Sequence, residues 1–325
     1  MKALVYTGPE AMDYREAPDP VPGASEELVR IDSVGICGSD MHGYLGHDER
    51  RPPPLILGHE AAGVIVGGPR SGERVTVNPL VIHPDSPTRQ TGREHLCQNR
   101  QLISMPPREG AFAQYLAIPG ENLVTVPDDV PLAKAALNEP LSVGWHAAKL
   151  GLSAVHPSSE PRALIIGGGA IGVATALALK AMGCTEIFIS EPNATRRAFL
   201  EAHCSFTTLP EAEGSYPLIF DAVGYAATRA VASALIEPGG VMVHIGLGDG
   251  EGGLDIRKMT LWEVTFIGSY CYTPQEFRDC AQALFEGRLG DLTWTETRPL
   301  ADGAKAFADI RAGVVPAPKI ILSPE

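Results

Sequence analysis

Arg162-Ala163-Leu164-Ile165-Ile166-Gly167-Gly168-Gly169-Ala170-Ile171-Gly172 begins as an apolar run and ends as a glycine loop. The spacing G-x-G-x-x-G falls on Gly167, Gly169 and Gly172, with Ala170 and Ile171 completing the loop. The run reads as a buried strand and residues 173–182 as the helix that follows. A second apolar run, 186–190, ends at Glu191, 19 positions past Gly172. A dinucleotide-binding βαβ unit needs that setting. Its glycines allow a tight turn and close approach to a pyrophosphate, the helix start favours the phosphate charge, and the acidic residue accepts the ribose hydroxyls. A plain glycine-rich loop would leave Glu191 unexplained. Glu191 would also repel a 2′-phosphate, which argues for NAD. Arg196 and Arg197 pull mildly toward NADP, although they also fit the solvated face of a helix. Residues 163–182 are apolar enough, with Gly168-x-x-x-Gly172, to raise a membrane helix; three consecutive glycines break it.

Downstream, strands are expected at 218–222, 241–245 and 264–267, with helices across 227–235 and 277–286. The short link 201–215 leaves room only for a clipped third strand. The chain closes with 299–311 and a strand at 319–322. Upstream, short strands at 2–6, 26–33, 61–66 and 72–77 are separated by Gly- and Pro-rich turns such as Pro18-Asp19-Pro20-Val21-Pro22-Gly23. That pattern indicates an irregular β-barrel. Residues 131–149 have helical spacing, and Pro140 suits a first turn, so Glu139 is expected near a helix start. No internal repeat or low-complexity tract is present.

The first half holds its own chemistry. Gly35-Ile36-Cys37-Gly38-Ser39-Asp40-Met41-His42 is followed by Gly58-His59-Glu60. Thiolate and imidazole are favoured zinc donors, so Cys37 and His59 form a candidate metal pair, with Glu139 a further anionic donor before the glycine loop. Asp40 and Ser39 are also ordinary helix-capping residues, and a lone cysteine is commonly a small buried hydrophobe. The pair gains meaning from the dinucleotide loop behind it.

With these motifs the chain resembles the zinc-dependent medium-chain alcohol and polyol dehydrogenases, especially the sorbitol and threonine dehydrogenase branch, over nearly its whole length. The resemblance implies an α/β chain with a chaperonin-10-like β-barrel catalytic domain, residues 1–145 and 287–325, and a Rossmann doubly wound parallel-sheet domain, residues 146–286. It implies that Cys37 and His59 ligate zinc, with Glu60 or Glu139 as third ligand and one position left for substrate. Zinc would lower the pKa of a bound hydroxyl, and hydride would then pass to the nicotinamide. Asp40 would hold the His59 tautomer. Ser39 would take the alcohol proton, and His42 would pass it toward solvent. Relatives carry a second, structural zinc on four cysteines; His83, Ser86, Arg89 and Cys97 stand at those positions and cannot close a tetrahedral site. One catalytic zinc per chain is expected, and the lobe must be held by packing and hydrogen bonds or be mobile.

A chain of 325 residues, 44 % hydrophobic and 20 % charged, is ordinary for two soluble domains. Its net charge of −13 argues against a nucleic-acid partner. The first residues lack a signal-peptide pattern. Six cysteines (Cys37, Cys97, Cys184, Cys204, Cys271, Cys280) without paired spacing fit a reduced cytoplasmic protein. The expectation is a cytoplasmic zinc- and NAD-dependent dehydrogenase of a polar secondary alcohol (a polyol, sugar acid or related hydroxy compound). It would be a homodimer or homotetramer, with neither membrane nor nucleic acid as partner. The alternatives are a zinc-free reductase of the quinone reductase type and a nucleotide-sensing protein without catalysis.

Overall fold

The computed structural model describes residues 1–89, 91–160 and 162–324; Gln90, Pro161 and Glu325 lie outside the described residues. The chain forms two compact units. One comprises Met1–Glu139, Thr273–Glu286 and Thr295–Glu325; the other comprises Pro140–Tyr272 and Gly287–Trp294.

The first unit is built on a seven-stranded sheet. Its strands run in the order Leu123–Thr125, Arg74–Val77, Glu60–Val66, Glu26–Gly35, Lys319–Ser323, Thr295–Pro299, and Tyr115–Pro119 also pairs with Glu26–Gly35. Glu26–Gly35 is thus the hub. It pairs antiparallel with Glu60–Val66, placing Gly35 opposite Glu60, and with the last strand, placing Gly35 opposite Ile321. A three-stranded sheet carries Lys2–Gly8 between Ala11–Glu16 and Leu55–Ile56. The hairpin strand Ala11–Glu16 is additional to the strands expected from the sequence; its outward residues are polar and give no apolar run to read.

The second unit is a six-stranded parallel sheet in the order Thr207–Leu209, Glu186–Ser190, Arg162–Ile166, Tyr216–Asp221, Ile236–His244, Thr265–Gly268. This is the doubly wound strand order of dinucleotide-binding sheets. The third strand is three residues long, clipped as expected. Arg162–Ile166 is buried along its length after the first residue, as a central parallel strand must be. The apolar stretch that raised a membrane helix is a strand, a loop and the helix Ala170–Ala181; no helix among the described residues is long and apolar enough to cross a membrane.

The helical region around Pro140 differs from a single helix. It is split into Leu132–Ala135 and Asn138–Ala154. Proline lacks an N–H and so is tolerated only in the first turn, which makes a helix begin at Asn138. Asn138 is anchored there by donating from Nδ2 to the Phe277 carbonyl, 3.1 Å away.

Candidate metal and cofactor sites

Cys37 follows the hub strand by two residues and caps the helix Gly38–Tyr44. The cap is reciprocal: the Cys37 N–H donates to Asp40 Oδ2 at 3.0 Å, so the thiol and the carboxylate are placed by one turn of backbone. Asp40 is wholly buried. Its other oxygen accepts from the Gly58 N–H at 3.2 Å and lies 3.3 Å from His59 Nδ1. Burial alone would raise the Asp40 pKa; the His59 charge and hydrogen bond and the Arg51 charge more than offset it, and the carboxyl is held below its ordinary value. Burial likewise opposes charging His59, but Asp40 and then Cys37 raise its proton affinity well above the usual imidazole range.

With Nδ1 turned to Asp40 and Ser104 Oγ (3.3 Å), Nε2 is the nitrogen left for a ligand, and Ser39 Oγ lies 3.5 Å from it. Ser39 is half-buried, while His42, in the last turn of the same helix, is exposed. Cys37, His59 and Glu60 each place one donor atom within 4.8 Å of the other two. Glu60 is fully buried; its Oε1 accepts from Lys319 Nζ at 2.6 Å, while Oε2 has no hydrogen-bond partner among the described residues. A Cβ added at Gly35 would stand 2.0 Å from that oxygen, so only glycine leaves Glu60 its place. A soft thiolate, an imidazole and an unsatisfied buried carboxylate oxygen make a donor set that fits zinc. Glu139 is buried outside this set of three, and its charge acts on Lys319.

Lys319, Arg51 and Ser104 were not among the residues expected from sequence. Lys319 is buried and also donates to the Ile36 carbonyl at 2.8 Å. Burial would lower its pKa, but the Glu60 charge and then that of Cys37 hold it raised. The one sequence signal for it is a lysine leading the apolar run Ile320-Ile321-Leu322.

In the second unit the glycine loop joins Arg162–Ile166 to the helix Ala170–Ala181, with Gly169 as N-cap. A Cβ at Gly172 would meet the Gly167 carbonyl at 1.9 Å, whereas one at Gly169 would meet nothing within 4 Å. The loop is therefore tight where helix packs on strand and open beside Gly169, Ala170 and Ile171, as a pyrophosphate requires. Glu191 is buried at the end of its strand. Its Oε2 accepts from the Gly168 N–H at 3.0 Å and its Oε1 from the Asn193 N–H at 2.8 Å. The Arg196 N–H donates to Asn193 Oδ1, and Arg197 Nη1 folds back to the Glu191 and Pro192 carbonyls, both at 2.8 Å.

In the lobe 83–97, Ser86 Oγ donates to Cys97 Sγ at 2.9 Å and pairs with Thr88 Oγ1 at 2.8 Å. Arg89 reaches out to Glu121 and donates to the Ile82 and His83 carbonyls.

Residues 23–128 match the family model described as the alcohol dehydrogenase GroES-like domain, and residues 170–286 match that of the zinc-binding dehydrogenases. The chain is 30 % identical to a probable diacetyl reductase ((R)-acetoin forming) of Saccharomyces cerevisiae, over 89 % of this chain and 81 % of that one. The chain belongs to the zinc-binding medium-chain dehydrogenases. It is also 29 % identical to an L-galactonate-5-dehydrogenase of Escherichia coli, over 94 % of both chains. The solved structure of galactitol-1-phosphate dehydrogenase from Escherichia coli superposes with a TM-score of 0.88 at 25 % identity, covering both chains fully. The protein is an oxidoreductase of this family, with the barrel and Rossmann architecture expected of it, and Cys37, His59 and Glu60 fit its catalytic zinc.

Proposed function

We propose that this dehydrogenase transfers a hydride between NAD and the secondary hydroxyl of a polar small molecule, a polyol or sugar acid. The observation that carries the reading is the donor set of half-buried Cys37 with buried His59 and Glu60, in which one Glu60 carboxylate oxygen has no hydrogen-bond partner among the described residues. The relatives named for galactonate and galactitol phosphate support the substrate class. The intact donor set speaks against a zinc-free reductase.

When bound, zinc supplies the Lewis acidity that makes a hydroxyl acidic, and the nicotinamide supplies the hydride acceptor. The protein does the rest. Asp40 keeps the proton of His59 on Nδ1, so Nε2 offers its lone pair. Glu60 is our choice for the third donor over Glu139, because it lies with Cys37 and His59. Ser39 takes the substrate proton, and exposed His42 hands it to water. Glu191, oriented by two N–H groups, receives the ribose hydroxyls; Arg196 lies at the edge of that site.

We further assign metal chemistry to the barrel and cofactor binding to the Rossmann sheet. The scattered cysteines support a reducing, cytoplasmic setting. A homo-oligomer is supported by the outermost strand of the parallel sheet, Thr265–Gly268: Phe266 on it, and Leu261 and Trp262 before it, are exposed. The test is a screen of polyols and sugar acids for NAD reduction by protein of measured zinc content. Zinc-loaded protein that turns over none of them, but reduces quinones, would overturn the reading.

A further inference from the structure

Arg51 is 2 % exposed. A buried guanidinium is rarely more stabilising than an apolar side chain of its size, so what it touches matters. It reaches three places at once. Nη1 pairs with Asp48, Nε donates to the Ser104 carbonyl at 3.2 Å, and Nη2 donates to Ser39 Oγ at 3.5 Å. Ser39 and Ser104 stand at opposite nitrogens of one ring: Ser39 Oγ is 3.5 Å from His59 Nε2 and Ser104 Oγ is 3.3 Å from His59 Nδ1. Ser104 is fully buried with a φ of +70°, a left-handed conformation that a serine keeps only when its surroundings hold it there. The Arg51 bond to its carbonyl is one such restraint.

We propose that Arg51 is a positioning residue for proton transfer: its planar fork ties Ser39 and Ser104 together around His59 and aims the Ser39 hydroxyl at the substrate. The proposal rests on Ser39 as the group that accepts the substrate proton. A hydroxyl has one hydrogen and two lone pairs. Accepting from Arg51 occupies one pair and fixes the direction of the other. The 3.5 Å contact is long, as catalytic hydrogen bonds commonly are before substrate closes the site. Lysine cannot do the same work, because its ammonium has no fork with which to span two acceptors. Asp48 balances the buried charge; Arg50, largely exposed, grips Asp48 from outside.

The experiment compares Arg51→Lys, Arg51→Met, Arg51→Ala, Ser39→Ala and the Arg51→Met/Ser39→Ala double variant, on whichever of sorbitol and L-galactonate is turned over faster. Zinc content and thermal unfolding are measured alongside. Arg51→Met should keep its zinc and its KM for NAD and lose about 10–100-fold in kcat, the range seen when groups orienting a metal site are removed. Arg51→Lys should not restore the rate, whereas added guanidinium should partly rescue Arg51→Ala. The double variant should be no slower than Ser39→Ala, because residues acting as one unit are not additive. Additive losses would overturn the role of Arg51 and leave Ser39 standing. Near-native turnover by Ser39→Ala would overturn both. Should Arg51→Met unfold early, Asp48→Asn loosens the same guanidinium with little change of volume. Native kcat in that variant, with Arg51→Lys also native, would overturn the proposal.

Discussion

Lys319 Nζ donates to Glu60 Oε1 at 2.6 Å, and both side chains are closed to solvent, at 2 % and 0 % exposure. The contact joins the strand Glu60–Val66 to the last strand of the chain across the hub strand between them. Two charges taken out of water together tolerate the loss of both far better than the loss of one. Lys319→Met should therefore destabilise the metal-free protein by about 3–5 kcal/mol. Lys319→Met/Glu60→Gln should recover most of that. Urea unfolding in chelator measures both; a single variant as stable as wild type would show that Glu60 needs no cation beside it.

The two candidate carboxylate donors, Glu60 and Glu139, separate by a similar comparison. If Glu60 is the third donor, Glu60→Ala should lose zinc on dialysis, because deleting a ligand exceeds the ~10–100-fold cost of deleting a group behind one. Glu139→Ala should keep zinc at neutral pH and turn over slowly. Elemental analysis of the dialysed variants decides it, and the reverse pattern would make Glu139 the ligand.

These contacts also mark how far the sequence could be read. The dinucleotide loop was legible because its parts are local: strand, glycines, helix and Glu191 lie within one short segment, and each has its own pattern. That Asp40 can cap a helix was legible for the same reason, although the Cys37 N–H, its partner three positions back, was not foreseen. Lys319 was not. Its meeting with Glu60 depends on the register of two successive strand pairings, Gly35 with Glu60 and Gly35 with Ile321, and register is a property of the folded sheet. Arg51 and Ser104 were hidden similarly. An arginine beside three prolines reads as loop surface until packing closes over it.

The lobe at His83–Cys97 should hold no metal, so the zinc-to-protein ratio should be near one. Its hydrogen bonds have a pH signature. The Ser86 hydroxyl, helped by backbone donors, holds the Cys97 thiol below its ordinary value of 9.0 despite burial. A thiol depressed on folding stabilises the native state fully above pH 9, and that contribution is lost as pH falls through the folded value. Cys204, pushed up to about 11 by burial, acts oppositely between pH 9 and 11. The measurement is therefore a difference: stability of wild type minus that of Ser86→Ala should grow as pH rises toward 9. A flat difference would show that Ser86 does not stabilise the thiolate.

The exposed edge strand predicts a self-association surface. Phe266→Glu adds a charge to an edge that is apolar in the native chain. It should shift the protein to a smaller species in light scattering while the far-ultraviolet spectrum stays native. An unchanged mass would place the contact elsewhere.

Glu191 carries two separable effects on cofactor choice. Its carboxylate is already oriented by the Gly168 and Asn193 N–H groups, at 3.0 and 2.8 Å, so it meets the ribose without rearrangement. It accepts hydrogen bonds from the ribose hydroxyls, and its charge repels a 2′-phosphate. Glu191→Ala removes both: NAD should bind roughly 10–100-fold more weakly, as hydrogen bonds to a charged group are worth about 1.5–3 kcal/mol, and NADP should lose its disadvantage. Glu191→Gln keeps an acceptor oxygen and the shape but drops the charge. It should lose little affinity for NAD yet gain for NADP, which Alanine alone cannot reveal. The kcat/KM ratio of the two cofactors, measured for wild type and both variants, gives the separation. Should wild type already favour NADP, the argument from Glu191 fails. Arg196, in the first turn of the helix Ala194–Cys204 that Asn193 caps, and Arg197, folded onto the Glu191 carbonyl, would then be the groups positioned to receive a phosphate.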